Sequence, residues 1–382
     1  MKFLHIADLH LGKVVNGFSM LSEQQHVLEQ IINYVEQEEP QAVLIAGDVY
    51  DKAVPATEAV RLFDQFLTNL VARSVQVMLV SGNHDSGERL AFGNRIMQAQ
   101  GVHVQGVFSG QMHSVTVGDA DGGVDFCLLP YIKPSYIRRH FPHHSIESYN
   151  DAWQIALRTH MATHRRRVLL AHQFVVARGV DPERSESEIE AVGGLDSVYA
   201  EVAAEFQYVA LGHLHGAQRV GYEHIRYAGS PLKYSFSECH HRKGVLLVDM
   251  DALGQVAVHL LPLRPLHDMR MIAGPLQQLL SSSVVNAGDP FDYLHVTLTD
   301  EQELNDAIGQ LRLVYPNTMK MEYANRRSQA EGILGIPDVE NVSPLQLFSQ
   351  FYEKQNAQDL RKEQVDIISA LLDSTTRQEG DR

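Results

Sequence analysis

The chain has 382 residues, 44% of them hydrophobic and 21% charged, which suits a protein of two or three globular domains. No stretch approaches the ~18 apolar residues of a membrane span. The N-terminal apolar run is too short for a signal peptide, and Asp8 and His10 interrupt it. Cys127 and Cys239 lie far apart, which argues against a disulfide framework and fits a reducing cytoplasm. The net charge of −15 is unusual for a DNA-binding protein, which would need clustered basic residues or a partner that supplies the grip.

The first part of the chain, residues 1–265, alternates between strand-like and helix-like patterns. Helices are predicted over residues 22–35, where Ser22 and Gln25 have capping-box spacing, and over residues 55–70, with Pro55 near the first turn. Apolar runs predict strands over residues 2–7, 42–46, 75–80, 168–171 and 208–211. This alternation predicts a layered α/β domain. The stretch 106–164 shows neither pattern, and irregular or inserted structure is expected there.

A group of chain breakers around residues 262–275 predicts a domain boundary. Residues 293–299 then alternate at period two, Leu304, Ile308 and Leu311 mark a helix, and residues 319–323 resemble a strand. Residues 266–328 are therefore predicted to form a small α+β domain with a β–α–β order.

The end of the chain, residues 340–382, is predicted to be a helical tail that follows a linker over 326–339. A capping-box pattern at Ser343 and Gln346 begins the first amphipathic helix. The apolar faces of the two helices consist of Leu347, Phe348, Phe351 and Tyr352, and of Val365, Ile368, Leu371 and Leu372. Such faces need a surface to cover them, either on their own domain or on a partner.

Each predicted strand of the first domain is followed by side chains that can bind metals. These residues are Asp8 and His10, Asp48 and Asp51, Asn83, His84 and Asp85, His172, and His213 and His215. The carboxyl ends of strands in an open α/β sheet gather at one edge, so the five groups are expected to converge. Imidazole, carboxylate and amide donors without thiolate favour Mn²⁺, Fe²⁺ or Zn²⁺. Two metals about 3.5–4 Å apart need a bridging carboxylate, and Asp48, which follows Gly47, is the best candidate.

A single motif of this kind would carry little weight, because an isolated Gly-Asn-His or Asp-x-His is usually a turn or a hydrogen-bonded histidine. Five in this order, each after an apolar strand, indicate a metal site. His5 alternates with apolar neighbours on the first strand, so a packing role is expected. The pairs His143–His144 and His240–His241 are expected in surface loops.

The order DxH, GDxxD, GNHD, H and GHxH resembles the signature of the calcineurin-like metallophosphoesterases. Within that superfamily the sequence is similar to the SbcD-type nuclease subunits. The matching segments are DLHLG at 8–12, GDVYD at 47–51, GNHDS at 82–86, ALGHLH at 210–215 and RYAGSPLKYSFSE at 226–238. The last segment has no place in the general superfamily pattern. The resemblance covers nearly the whole chain.

This resemblance implies an α/β fold, a four-layer sandwich of two mixed sheets flanked by helices, with a small α+β capping domain and a helical C-terminal tail. It implies two divalent ions per chain, Mn²⁺ by family expectation, and hydrolysis of DNA as a double-strand 3′→5′ exonuclease and a single-strand or hairpin endonuclease. The partner would be an SbcC-like ATPase in a heterotetramer with two copies of this chain, so a homodimer is expected. Its place would be the cytoplasmic nucleoid, in DNA repair, recombination and replication.

The resemblance also implies residue roles. One metal would take Asp8, His10, Asp48 and His215 as ligands, and the other would take Asp48, Asn83, His172 and His213. His84 would be the catalytic histidine beside the scissile phosphate. Asp85 would orient His84 or a metal-bound histidine, or else cap the following helix. Asp51 stands where archaeal relatives carry a histidine, which leaves its role open.

Two other functions fit parts of the sequence. The metal motifs alone also suit a phosphoesterase that acts on a nucleotide or another small phosphoester, although the long segment after Pro262 argues against a minimal enzyme of that kind. A scaffold that kept the fold and lost catalysis should lack ligands, and none of the expected ligands is missing here.

Overall fold

The computed structural model describes residues 1–160, 165–179, 182–188, 196–302 and 304–324, together with scattered residues between 345 and 371. The chain divides into two compact units, Met1–Arg270 and Met271–Arg382. The predicted linker over 326–339 and most of the two predicted tail helices lie outside the described residues. The finer predicted boundaries at 265, 328 and 340 therefore stay predictions.

The described residues form strands and helices throughout both units. The strands are β1 (Lys2–Ile6), β2 (Val14–Val15), β3 (Phe18–Ser19), β4 (Ala42–Ala46), β5 (Gln76–Val80), β6 (Val102–Gln105), β7 (His113–Asp119), β8 (Gly122–Leu129), β9 (Arg166–His172), β10 (Val175–Val176), β11 (Val198–Tyr199), β12 (Tyr208–Gly212), β13 (Gln218–Val220), β14 (Tyr222–Tyr227), β15 (Gly244–Met250), β16 (Val256–Pro262), β17 (Met269–Gly274), β18 (Tyr293–Leu298) and β19 (Thr318–Tyr323). The helices are α1 (Leu21–Glu38), α2 (Thr57–Ala72), α3 (Gly87–Leu90), α4 (Asn94–Gln98), α5 (Pro134–Arg138), α6 (Tyr149–Leu157), α7 (Leu276–Leu279), α8 (Ser282–Val285) and α9 (Ala307–Val314), with 3₁₀ turns at Ala200–Ala203 and Phe236–Glu238. No helix within the described part of the chain is long and apolar enough to cross a membrane.

Two six-stranded sheets form the framework of the first unit, which also holds the two-stranded sheets β2-β3 and β10-β11. The strand order of the first is β16-β15-β1-β4-β5-β6, in which β1, β4, β5 and β6 run parallel and β15 and β16 are antiparallel. The order of the second is β13-β14-β12-β9-β8-β7, with a parallel centre and antiparallel edges. Helices α1 and α2 pack together beside the first sheet, where α2 contacts β5, and α6 packs with the second sheet. The predicted α/β fold with two mixed sheets flanked by helices is confirmed.

The main core lies between these two sheets. Phe3 of β1 contacts Phe126 of β8 and Tyr208 of β12 edge to face, with ring centroids 5.7 and 5.5 Å apart. The other face of the second sheet packs against Trp153 of α6, which is fully buried. Because its central strands are buried on both faces, they appear in the sequence as continuous apolar runs without alternation.

The second unit contains a three-stranded sheet in the order β17-β18-β19. Strands β18 and β19 are parallel, and α9 connects them, which confirms the predicted β–α–β order. Leu294, Val296 and Leu298 of β18 pack with Leu311 of α9 and with Leu279 of α7 in a separate small core. Strand β17 and helices α7 and α8 were not predicted.

Three local predictions are wrong. Helix α1 begins at Leu21 after Met20, with no side-chain cap, because the Gln24 N–H donates to the Met20 carbonyl and starts the helix before the predicted Ser22–Gln25 box. Helix α2 begins at Thr57, so Pro55 precedes it rather than standing in its first turn. The stretch 106–164, expected to be irregular, contains the regular β7–β8 hairpin and helix α6. Strand β8 was missed because it is buried on both faces and so lacks the polar–apolar alternation of a half-exposed strand.

Candidate metal centre

The loops after β1 and β4 run side by side beyond the ends of their strands. The Asp8 N–H donates to the Gly47 carbonyl (3.1 Å) and the His10 N–H donates to the Asp48 carbonyl (2.9 Å). Asp8, His10 and Asp48 have φ angles of 53°, 44° and 47°, in the left-handed region that side-chain-bearing residues seldom adopt. Conformations of this cost persist only where the surroundings enforce them, and they concentrate at functional sites.

Asp8, His10 and His215 form the first group of converging donors, with one donor atom from each within 4.8 Å of the others. Nε2 of His10 lies 3.1 Å from Nε2 of His215. The Asp8 carboxylate accepts from the His213 N–H at 2.9 and 3.2 Å, which ties the end of β1 to the end of β12. Three of the four ligands predicted for the first metal are thus brought together across the two sheets.

The second group surrounds His172. Its Nε2 lies 2.9 Å from Oδ1 of Asn83 and 3.4 Å from Oδ2 of Asp48, and Asn83 Oδ1 lies 3.1 Å from Nδ1 of His213. Asp48 Oδ2 is also 3.7 Å from Nε2 of His10, a member of the first group. Asp48 therefore stands between the two predicted ligand sets, where a bridging carboxylate is expected.

His84 lies at the edge of the cluster, with 14% of its side chain exposed. Its Nδ1–H donates to the Asp51 carbonyl (2.9 Å), and its Nε2 is 4.0 Å from Asp48 Oδ2. His84 also forms a third possible metal-binding group with His10 and Asp48. The backbone of Asp51 thus orients His84, while its carboxylate bonds to the Lys13 ammonium at 2.8 Å.

Asp85 links the loops that follow β4 and β5. Its carboxylate accepts from the backbone N–H groups of Gly82 (2.9 Å), Val49 (3.2 Å) and Tyr50 (3.0 Å). Helix α3 begins after Ser86 without a side-chain cap, so the helix-capping alternative for Asp85 is wrong. Its predicted catalytic role stays a prediction, and the contacts show a carboxylate that holds backbone in place.

Burial determines the charge of most histidines here. Desolvation lowers the pKa values of His10 and His215, and it lowers that of His213 to about 3 with a further contribution from His172. Burial also acts against charge on His172, but the neighbouring Asp48 raises the pKa of His172 to about 9. His10, His213 and His215 are therefore neutral imidazoles, the form that binds metals.

Asp8 and Asp48 are the carboxylates of the cluster, and both are almost fully buried. Burial raises the pKa of Asp8 well above its usual range. For Asp48 burial acts in the same direction, but the adjacent His172 outweighs it and lowers the pKa. Buried charge is costly unless it is paired or coordinates a metal. Oxygen and nitrogen donors gathered around two such carboxylates fit a pair of divalent cations.

Three glycines permit the close approach of these loops. A Cβ on Gly82 would lie 2.0 Å from Asp48 Oδ1, one on Gly212 would lie 1.9 Å from the Ala46 carbonyl oxygen, and one on Gly47 would lie 2.4 Å from His172 Nδ1. Gly47 also has a φ of 84°. These glycines are required for more than turn formation, because any side chain would displace a predicted ligand or its strand.

Several supporting residues escaped prediction because they contact the loops from distant parts of the chain. The Gln24 amide donates to the His10 carbonyl (2.7 Å), and the Tyr234 hydroxyl donates to the Leu9 carbonyl (2.5 Å). Glu188 accepts from the His215 N–H (2.7 Å), and burial raises its pKa to about 7. Glu238 lies beside His215 and is fully buried. In the sequence, only the RYAGSPLKYSFSE motif, which contains Tyr234 and Glu238, indicated any of these residues.

The other histidines with a predicted place conform to it except His241, which is only partly exposed. His5 is buried and contacts the Tyr208 hydroxyl (3.0 Å) and the Leu211 carbonyl (3.1 Å), which confirms a packing role. His143, His144 and His240 are exposed. Within the described ranges, none of them joins a group of possible metal ligands.

Comparisons with known proteins agree with this geometry. Residues 1–217 match the calcineurin-like phosphoesterase family, and residues 265–356 match a family described as the type 5 capsule protein repressor C-terminal domain. The chain is 28% identical over 389 aligned positions to the SbcD subunit of the SbcCD nuclease from Staphylococcus epidermidis, and the alignment covers 100% of both chains.

Two solved structures show more distant likeness. A crystal structure from Thermus thermophilus is 12% identical with a TM-score of 0.39, and it covers 68% of this chain and 98% of its own. A dimetal phosphatase from Danio rerio is 14% identical with a TM-score of 0.35, and it covers 65% and 92%. Neither TM-score is high enough to support an inference about function.

Replacing Gly82 by alanine should damage the metal centre without a new charge. The added Cβ would meet the Asp48 carboxylate, so the loop after β5 must shift, and Mn²⁺ binding should weaken roughly tenfold or more. Titration of the metal-free protein with Mn²⁺, followed by electron paramagnetic resonance, measures this. Gly118→Ala is the control, because a Cβ there meets open space. Wild-type affinity in Gly82→Ala would contradict the assignment of Asp48.

Proposed function

The chain belongs to the calcineurin-like phosphoesterase family, and we propose that its metal centre hydrolyses phosphodiester bonds of DNA. The observation that carries the proposal is the convergence of donors from five strand ends on Asp48, with His84 beside it. The full-length similarity to a nuclease subunit supports DNA as the substrate among phosphoesters. The activity is that of a Mn²⁺-dependent 3′→5′ exonuclease on duplex ends and an endonuclease on single strands and hairpins.

The residues have distinct roles in this reaction. One divalent ion would be held by Asp8, His10, Asp48 and His215, and the other by Asp48, Asn83, His172 and His213. When bound, the two ions would supply charge neutralisation for the phosphodiester and a more acidic water. His84 is held through its Nδ1–H by the Asp51 carbonyl, which leaves Nε2 available to the phosphate side. There it stabilises developing charge or protonates the leaving oxygen.

Cations beside the centre support a polyanionic substrate. Each of three cations lies over an aromatic ring that contacts a candidate histidine ligand. The cation-to-centroid distances are 5.6 Å for Lys13 over Tyr234, 5.8 Å for Lys133 over Tyr131 and 4.4 Å for Arg184 over Phe174. The ring-centroid distances are 5.6 Å for Tyr234 and His10, 6.3 Å for Tyr131 and His172, and 5.9 Å for Phe174 and His213. Basic side chains therefore lie beside the centre of an acidic chain, although Lys13 is paired with Asp51, and such side chains suit phosphates that flank the scissile bond.

Two substrates tested side by side separate the proposal from its alternative. With Mn²⁺, the pure protein should cleave an end-labelled DNA hairpin and also bis-p-nitrophenyl phosphate, and chelation should abolish both activities. Asp48→Asn, which removes the charge of the bridging carboxylate, should be inactive on both substrates. If the protein cleaves only the small ester, even with an SbcC-like ATPase present, it acts on small phosphoesters and the nuclease proposal is wrong.

His84→Ala separates chemistry from metal binding. Loss of a general acid should lower the rate of hairpin cleavage by about 10²- to 10⁴-fold while Mn²⁺ affinity stays unchanged. Single-turnover cleavage and Mn²⁺ titration measure the two effects. The exposed His144→Ala is the matched control and should behave as wild type. A loss of Mn²⁺ from His84→Ala would make His84 a ligand, as its grouping with His10 and Asp48 allows.

We propose further that the tail binds an SbcC-like ATPase, in a heterotetramer with two copies of this chain. The aromatic residues of the first predicted tail helix suit a groove between helices of a partner, and the described Phe348 is 37% exposed. An ATPase with a basic DNA channel would also compensate for the acidic balance of this chain.

Deleting residues 343–382 should leave Mn²⁺ binding and single-strand cleavage intact while abolishing association with the ATPase. ATP-dependent action on duplex ends should disappear with it. Size-exclusion chromatography of the mixed proteins measures association, and the Mn²⁺ titration checks that the truncated chain is folded. Co-elution of the truncated chain with the ATPase, or loss of its fold, would show that the tail belongs to the core.

A further inference from the structure

The segment from Arg226 to Lys243 contains the one sequence motif that the proposed chemistry does not use. It begins at the end of β14 in the second sheet and passes directly behind the predicted ligand His215. At its end, Glu238 and Lys243 form an ion pair with Oε2 and Nζ 2.5 Å apart. Glu238 is fully buried and Lys243 is 9% exposed. Burying two charges is costly unless further hydrogen bonds satisfy them, so the pair calls for an explanation.

Lys243 binds the ligand loop through its remaining donors. Its ammonium donates to the His215 carbonyl and to the Ser230 hydroxyl, each at 2.8 Å. The Ser230 N–H also donates to the His215 carbonyl (3.2 Å). Gly229 makes this approach possible, since a Cβ there would lie 2.7 Å from the His215 carbonyl oxygen. The backbone of His215 is therefore fixed from behind by this segment.

Glu238 binds the imidazole of the same residue. Its Oε1 lies 3.4 Å from His215 Nδ1 and accepts from the Ser187 hydroxyl at 2.6 Å. Ser187 Oγ is in turn 2.8 Å from His215 Nδ1. The serine hydroxyl has one hydrogen, which it donates to the carboxylate, so it accepts from the His215 Nδ1–H. The lone pair of His215 is then at Nε2, which faces Nε2 of His10 at 3.1 Å.

Two other histidines of the centre donate to backbone carbonyls instead, and Nδ1 of His10 lies 3.7 Å from the Asp51 carboxylate. His172 donates its Nδ1–H to the Ala46 carbonyl (2.8 Å), and His84 donates to the Asp51 carbonyl (2.9 Å). A charged carboxylate behind an imidazole fixes its tautomer and makes it a more basic ligand than a carbonyl does. The first predicted metal site would thus gain a stronger imidazole donor than the second.

We propose that Glu238, anchored by Lys243, is the positioning carboxylate of the predicted metal ligand His215. The 226–243 segment, here called the bracket, holds His215 in place and thereby raises the metal affinity of one of the two sites. This inference rests on the proposed metal centre. It assigns to the segment a role in metal affinity, separate from any contact with DNA.

Mn²⁺ titration of metal-free variants tests the bracket without measuring activity. Glu238→Gln should weaken one of the two Mn²⁺ sites by about 10- to 100-fold, the usual effect of removing a ligand's supporting carboxylate. The substitution also leaves the Lys243 ammonium without its carboxylate partner, so the unfolding temperature of the variant should fall. In the double variant Glu238→Gln/Lys243→Met no unpaired charge remains, and the unfolding temperature should recover while the weak Mn²⁺ site persists.

Two further variants complete the design. Glu23 is also a buried carboxylate that accepts from a histidine, His267 (2.7 Å), so Glu23→Gln is the matched control and should bind Mn²⁺ as wild type does. Ser187→Ala removes a single hydroxyl from a partly exposed position and should weaken the same site by about tenfold. This variant keeps the test valid if the charge variants fail to fold.

The outcomes separate the two proposals. Two Mn²⁺ sites in the wild type, with one weakened in the double variant and in Ser187→Ala, support the bracket. Wild-type affinity in either variant overturns the bracket and leaves the metal centre standing. If wild-type protein binds no Mn²⁺ at stoichiometric levels, the metal centre itself is wrong, and the proposed function fails with it.

Discussion

Two buried carboxylates, Asp8 and Asp48, impose the main constraint on this molecule. Each lies where solvent cannot stabilise its charge, and removing an ion from water costs several kcal/mol. Backbone hydrogen bonds compensate part of this cost, because the His213 N–H donates to Asp8 and the His84 N–H donates to Asp48 at 2.9 Å. A pair of divalent cations would complete the compensation. The unusual backbone of the loops follows from this requirement.

The left-handed residues show how the requirement is met. Asp8, His10 and Asp48 would each be more stable in an ordinary conformation, and so would His213, whose φ is 117°. The parallel pairing of β1 with β4, continued into the loops, holds three of them in place. The stable pairing of the strands thus offsets the free-energy cost of the left-handed conformations at the site. A rigid scaffold of this kind fixes donor atoms before a metal arrives, which lowers the cost of organising them.

The sequence predicted well which side chains gather at the site, because the rule that places them is local. Donors that follow apolar strands converge wherever the strands are parallel, so Asp8, Asp48 and His172 could be identified without coordinates. Supporting contacts are not local. Glu238 contacts His215 although the two residues are 23 positions apart in the sequence, and Gln24 bonds to the His10 carbonyl across 14 positions.

Charge distribution connects the site to its substrate. A net charge of −15 describes the whole chain, but Lys13, Lys133 and Arg184 lie over rings beside the centre, Lys13 in a pair with Asp51. Each of these cations lies against an aromatic ring, and that ring contacts a predicted ligand. Because interactions between exposed charges are screened within about 10 Å at moderate salt, the local cations outweigh the distant acidic surface. Under the proposed function, the local cations would contact DNA at the metal centre, and a partner would supply the remaining DNA contacts.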